Sequence, residues 1–379
     1  MSDIVQPASS FRASPLVGDA VNFVRRFTPN GFAITMGTGI VALALAQTPG
    51  AGAAVHAAAK GLWWVNIGLF VLFSMAYALR WILFFDEARR IFHHPVASMY
   101  FGCIPMGLAT LINGLLLFGR PHWGASAVAL ATTLWWIDVG MALACGLAIP
   151  MAMFTRQTHA LNNMTAVWLL PVVAAEVAAV SGGLLAPLMP GAGDRLTVLT
   201  ISYALWGYSV PAAMSLLAIL LLRMILHGLP PAAMAASSWL ALGPIGTGAL
   251  GLLVLGAAAP AVLPATGLGV YGDAARGAGL IGALLLWGYG LWWLGLATLI
   301  TARQFRRGMV FNLGSWGYTF PLGVYAVATL KLAALLPLPI LMLLAQGLVI
   351  ALAGVWGVVA ALTLAGAARD NLFAPLPVD

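Results

Sequence analysis

Trp316-Gly317-Tyr318-Thr319-Phe320-Pro321-Leu322-Gly323 sets a proline inside a continuous apolar run, residues 315–335. A helix interrupted there loses a hydrogen bond, bends and leaves a carbonyl unpaired. Hydrocarbon tolerates such backbone only where protein or a water-filled cavity surrounds it, so this helix belongs inside a bundle. The same interruption recurs outward along the chain at Gly37, Pro105, Pro171 and Pro244, the five being separated by 68, 66, 73 and 77 residues. Gly37-Thr38-Gly39, Pro105-Met106-Gly107, Pro244-Ile245-Gly246 and Pro321-Leu322-Gly323 share a Pro/Gly-x-Gly pattern, which Pro171-Val172-Val173 lacks. Five copies of one unit tend to be arranged about an axis, and in a membrane the space along that axis is a candidate pathway.

Composition agrees with a membrane location. Of 379 residues, 62% are hydrophobic and 7% charged, against roughly 25% charged in a soluble domain. Ten apolar segments stand near 30–47, 62–85, 97–118, 126–153, 166–188, 196–222, 235–256, 278–302, 315–335 and 338–366, each close to the ~20 residues that span a bilayer as helix. Strand barrels need short alternating spans and are excluded. The expected fold is an all-α polytopic membrane protein of ten transmembrane helices, paired as five hairpins in quasi-five-fold arrangement. The kinked odd-numbered helices line a central pore and the even-numbered ones face lipid. Residues 1–26 are expected to be a disordered cytoplasmic tail, 27–366 the membrane domain and 367–379 a cytoplasmic C-terminal tail.

The net charge of +7 reports topology rather than nucleic-acid binding. With the N-terminus in the cytoplasm, twelve arginines fall inside, whereas Lys60, Arg120, Arg195 and Arg276 fall outside and Lys331 lies within a span. That asymmetry follows the positive-inside rule, with both termini cytoplasmic at the cell membrane. Cys103 and Cys145 lie within spans and have no metal-ligand spacing, and no metal or cofactor is expected.

Aligned on the interruptions, the preceding residues are Met36, Ile104, Leu170, Gly243 and Phe320. If this level faces the axis, Phe320 is its largest side chain and gates by blocking or dewetting; the alternative is a core Phe between helices. Thr35, Thr38, Asn113 and Thr319 cluster near the interruptions and are candidate anion ligands, although Ser and Thr hydroxyls commonly bond to their own helix. Lys331, ten residues beyond Pro321 and about 15 Å along the helix, either supplies positive potential or pairs and snorkels. Glu176 would repel an anion if charged and exposed. It is either paired, with Lys331 a candidate, or a protonatable group for proton coupling.

Several stretches resemble the tellurite-resistance/dicarboxylate transporter family, which includes tellurite-resistance permeases, a yeast malic-acid transporter, fungal sulfite efflux pumps and plant slow anion channels. They are Thr28-Pro29-Asn30-Gly31-Phe32-Ala33-Ile34-Thr35-Met36-Gly37-Thr38-Gly39-Ile40, His94-Pro95 with Ile104-Pro105-Met106-Gly107, and the Trp316–Gly323 stretch. The resemblance implies ten helices around an anion pore, Phe320 as the occluding side chain, and a homotrimer. It implies a C4-dicarboxylate such as malate as first substrate and sulfite as second. A membrane-embedded enzyme is the rival class. It would need convergent acid, base or metal groups, and the buried ionisable residues are instead scattered over different spans. A sensor with a vestigial pore is the third.

Overall fold

Backbone amides in apolar runs of this length must be paired within the run. The computed structural model describes residues 15–308 and 311–367 and contains no strand among them. In chain order the principal helices are α1 (Phe32–Ala46), α2 (Ala53–Leu83), α3 (Cys103–Gly114), α4 (Arg120–Thr155), α5 (Leu170–Leu185), α6 (Ala192–His227), α7 (Leu242–Val262), α8 (Val270–Phe305), α9 (Thr319–Leu335) and α10 (Pro339–Ala367). Residues Ala97–Thr155 form one helical stretch of 59 residues, but Gly124, at φ 52° and ψ −125°, breaks it. Its two arms fold back on each other: Gln157, just past α4, donates to the Phe92 carbonyl at 2.9 Å and to Ser98 Oγ at 3.0 Å, both ahead of α3.

Odd and even helices differ in burial. In the most apolar 18-residue windows containing α1, α5, α7 and α9, 83%, 94%, 61% and 83% of residues are buried; in those of α2, α6, α8 and α10 the shares are 28%, 33%, 22% and 28%. Each inner helix packs on two inner neighbours, and α9 returns to α1, so the inner ring is closed. Close approach is built in at the second glycine of the repeated motif. A Cβ at Gly246 would stand 2.9 Å from the Tyr325 backbone nitrogen, and one at Gly323 would stand 2.5 Å from Ile40 Cγ1.

A second repeat joins the outer shell to the inner ring. Trp63 of α2 donates its indole N–H to the Leu111 carbonyl of α3, Trp135 of α4 to Ala178 of α5, and Trp206 of α6 to Gly248 of α7. Trp287 of α8 donates to Thr329 Oγ1 of α9, and Trp356 of α10 to Thr38 Oγ1 of α1. Every outer helix thus reaches past its own hairpin partner to the next inner helix. Each such bond stabilises by about 1 kcal/mol or less net.

At one end of the bundle, a group on or just past the even helix clasps the segment that precedes its odd partner. Arg80 donates to Phe27 O, Gln157 to Phe92 O, Arg223 to Asn162 O and Gln304 to Pro230 O. In the fifth hairpin the direction reverses, with Trp316 Nε1 donating to Thr363 Oγ1 at 3.0 Å. This arginine-rich face carries both ends of the described chain.

Two expectations change. The prolines do not kink the middle of α-helices: Pro105, Pro244 and Pro321 are the third residues of α3, α7 and α9, and Pro171 is the second of α5. Tighter 3-10 turns, Ala97–Gly102, Ala166–Leu169 and Leu313–Tyr318, lead into α3, α5 and α9. The interruption is a change of helix type, placed where a missing N–H has no intrahelical acceptor to lose. Secondly, the segment assigned to a disordered tail is helical over Pro15–Arg26, and Arg25 is fastened to Glu87 by contacts of 2.6–3.1 Å. Residues 1–14 and 368–379 lie outside the described residues.

Candidate functional site

The five inner helices enclose a cavity of about 220 Å³ to which all of them contribute. Its lining follows the register of the repeat. Three residues beyond the interruptions stand Ile40, Thr247 and Val324; six beyond stand Leu43, Val177, Leu250 and Val327; ten beyond stand Gln47, Val254 and Lys331. Steps of three and four residues keep a side chain on one helix face, so each inner helix presents a single stripe to the axis. Phe320, 3% exposed, stands one residue before its interruption and lines the cavity at the entry of α9, on the side of the arginine-rich face.

Against these apolar walls the polar groups are few. Thr247 is buried, and its Oγ1 has no hydrogen-bond partner. Asn113 Oδ1 is likewise buried without a partner. Thr110 Oγ1 donates to the Gly107 carbonyl at 2.7 Å and accepts from Asn66 Nδ2 at 3.0 Å. Farther out the lining includes Lys331 and Arg120, neither of which forms an ion pair among the described residues. No carboxylate stands among the described lining residues. A low-dielectric cavity with two cations at one end and no counter-charge among its described residues attracts anions and repels cations. Unpartnered hydroxyl and amide groups farther in can replace part of an anion's hydration shell.

Of the residues singled out from sequence, Phe320, Asn113 and Lys331 stand on this cavity. Thr35, Thr38 and Thr319 do not line it. Thr35 Oγ1 bonds to the Phe32 carbonyl of its own helix and lies against Gly107. Thr38 receives the Trp356 indole, and Thr319 bonds to the Trp316 carbonyl beside Gly37. Glu176 points away from the axis: on α5 it is fully buried and accepts from Ser209 Oγ of α6 at 3.3 Å, and no ion pair joins it to Lys331. Sequence reading missed Arg120, counted only as a loop cation, and passed over Thr110 and Thr247. The positions three and ten residues past each interruption were the available signal for Thr247 and Lys331. Arg120 had none, because the π-helical turn Leu115–Gly119 carries α3 on toward it.

A closed five-helix ring around an apolar cavity with an electropositive end is the geometry of an anion path. Residues 26–364 match the family described as SLAC1, voltage-dependent anion channel. The chain belongs to the SLAC1 family. It is a multi-pass membrane protein of a family of transporters and channels. It is 36% identical over 353 residues to the sulfite efflux pump SSU1 of Trichophyton rubrum, covering 92% of this chain and 93% of the pump. An uncharacterized transporter of Methanocaldococcus jannaschii is 30% identical over 311 residues, 82% of this chain and 84% of its own. The malic acid transport protein of Schizosaccharomyces pombe is 21% identical over 301 residues, 79% of this chain and 68% of its own. The similarities thus run opposite to the malate-before-sulfite order drawn from resemblance, with the sulfite efflux pump of Trichophyton rubrum more similar to this SLAC1-family protein than the malic acid transport protein.

Proposed function

We propose that this protein moves small inorganic oxyanions, sulfite first, out of the cell through the cavity ringed by α1, α3, α5, α7 and α9, with Phe320 as the gate. The carrying observation is the cavity itself: two cations without an ion pair among the described residues toward one end, two unpartnered polar atoms inside, Thr247 Oγ1 and Asn113 Oδ1, and the Phe320 ring in the wall toward the other end. The greater similarity to sulfite efflux pumps than to the malic acid transport protein supports sulfite over malate as the cargo. The arginine-rich face is cytoplasmic by the positive-inside rule, so Phe320 stands between the cytoplasm and the cavity. The working unit is a homotrimer in the cell membrane, each copy with its own path.

The test is a flux screen in proteoliposomes with sulfite, nitrate, chloride, malate and succinate. Sulfite flux above that of malate at equal concentration is expected. Malate flux without sulfite flux would overturn the substrate assignment, and no anion flux at all would overturn the pathway.

A further inference from the structure

A second cavity, of about 600 Å³, opens at the arginine-rich face, where the chain enters α3, α5 and α7. Val96, Val167 and Met234 bring those three entries to its wall, and Arg223 and His227 of α6 supply its basic groups. Arg223 is only 4% exposed. Its Nε and Nη2 donate to the Asn162 carbonyl at 3.2 and 2.5 Å, and Nη1 donates to the Gly228 carbonyl at 2.6 Å. A guanidinium has five N–H groups, and those three bonds leave two available. Both acceptors are neutral, no carboxylate stands among the described residues of the wall, and Arg223 forms no ion pair among the described residues.

The clasp between hairpin ends does not account for that charge. The same bond is made by another guanidinium, Arg80, in the first hairpin, but by neutral amides, Gln157 in the second and Gln304 in the fourth, so the clasp itself does not require a charge. A buried cation is costly to maintain without a counter-charge, and a guanidinium fork matches the edge of an oxyanion. Thr165 and Asn163 add polar groups to the same wall, and His227 adds a ring nitrogen at its rim.

We infer that this cavity is a binding site for a small oxyanion, in which the two remaining Arg223 N–H groups grip the anion and His227 completes the rim. It is separate from the cavity ringed by the inner helices. Resting on the proposed function for side and cargo, it loads sulfite from the cytoplasm.

The deciding variant is Arg223→Gln, which keeps an amide donor for the Asn162 carbonyl, as Gln157 and Gln304 do in their hairpins, and removes the charge. Binding of radiolabelled sulfite to the full chain in detergent is measured beside efflux from proteoliposomes as a function of internal sulfite. Arg223→Gln is expected to weaken binding and to raise the internal half-saturating concentration by about tenfold, with a melting temperature lowered only as far as loss of the Gly228 bond accounts for, whereas Arg223→Lys, which keeps the charge and loses the fork, restores part of the binding. His227→Gln and Thr165→Val, which leave the clasp intact, are expected to give about twofold to fivefold weakening. If Arg223→Gln does not fold, these two carry the test. Folded variants that all bind and load within twofold of the parent overturn the site. Parent transport that persists with such results leaves the central pathway standing, and Arg223-dependent binding without any transport leaves only this site.

Discussion

Trp356 Nε1 of α10 donates to Thr38 Oγ1 of α1 at 3.2 Å, joining residues 318 positions apart and closing the circle of outer-to-inner bonds. The other four such bonds join elements that follow each other in the chain, so connectivity already holds them near one another. This one has no covalent neighbour to help it. Trp356→Phe keeps most of the packed ring area and removes the donor. It is expected to lower stability by about 1 kcal/mol, seen as a lower unfolding midpoint in a denaturing-detergent titration. In a double-mutant cycle with Thr38→Val, a coupling energy near zero would show that the closure does not rest on this bond.

Among the described lining residues of the cavity, Phe320 is the one aromatic side chain. Phe320→Ala opens the floor of the cavity, and a barrier lowered by about 1.4 kcal/mol corresponds to roughly tenfold more flux. Phe320→Leu is expected to fall between. Flux through a folded Phe320→Ala variant at the parent level would dismiss the gate.

Lys331 and Arg120 share one cavity without a counter-charge among its described residues. Neutralising either one, as Lys331→Gln or Arg120→Gln, should reduce anion flux by about fivefold at low ionic strength, corresponding to ~1 kcal/mol of lost potential. The deficit should shrink in high salt, and Lys331→Arg should restore most of the flux. A salt-independent deficit would point to packing instead.

Glu176 meets Ser209 on α6, behind the wall of the cavity. Ser209 Oγ also donates to the Val172 carbonyl at 2.8 Å, and Gln in place of Glu176 keeps a polar group of the same shape beside that hydroxyl. Glu176→Gln is expected to leave sulfite flux, and its response to an imposed pH gradient, within about twofold of the parent. Loss of the pH response alone would restore the proton-coupling role that the sequence allowed for this carboxyl.

His94 Nδ1 accepts the backbone N–H groups of Val96 and Ala97 at 3.2 and 3.0 Å, capping the turn that leads into α3. Burial holds the imidazole below its ordinary 6.5, as suits a ring nitrogen that must stay unprotonated to accept. The folded state thus binds this proton less readily than the unfolded chain. The His94 contribution is complete above pH 6.5 and is lost as pH falls through the lowered folded-state value. His94→Ala is expected to cost about 1 kcal/mol near neutrality, as for loss of a cap, and to flatten the decline in stability below pH 6.5. An unaltered pH profile in that variant would exclude His94 as its source.

Hydrophobic periodicity and the spacing of Gly37, Pro105, Pro171, Pro244 and Pro321 were legible in one dimension, and from them followed helices, hairpins, the five-fold repeat and which helices lie inside. These are local properties: an apolar run must satisfy its own amides, and a proline marks its own turn. Even so, proline was read as a mid-helix kink when it starts an α-turn, because the 3-10 lead-ins depend on packing at the helix entries. The azimuth of each side chain was beyond that reading. Thr38 and Thr247 sit on inner helices close to their interruptions, yet one bonds to Trp356 and the other faces the cavity unpartnered. Helix rotation is set by neighbours far along the chain: α9 against α1, α10 against α1, Gly246 against Tyr325. Glu176 shows the same limit, since its meaning changed from an obstacle in the path to a group behind the wall once α6 was in place. Residue type and spacing record what a segment needs, whereas facing is a property of the closed ring.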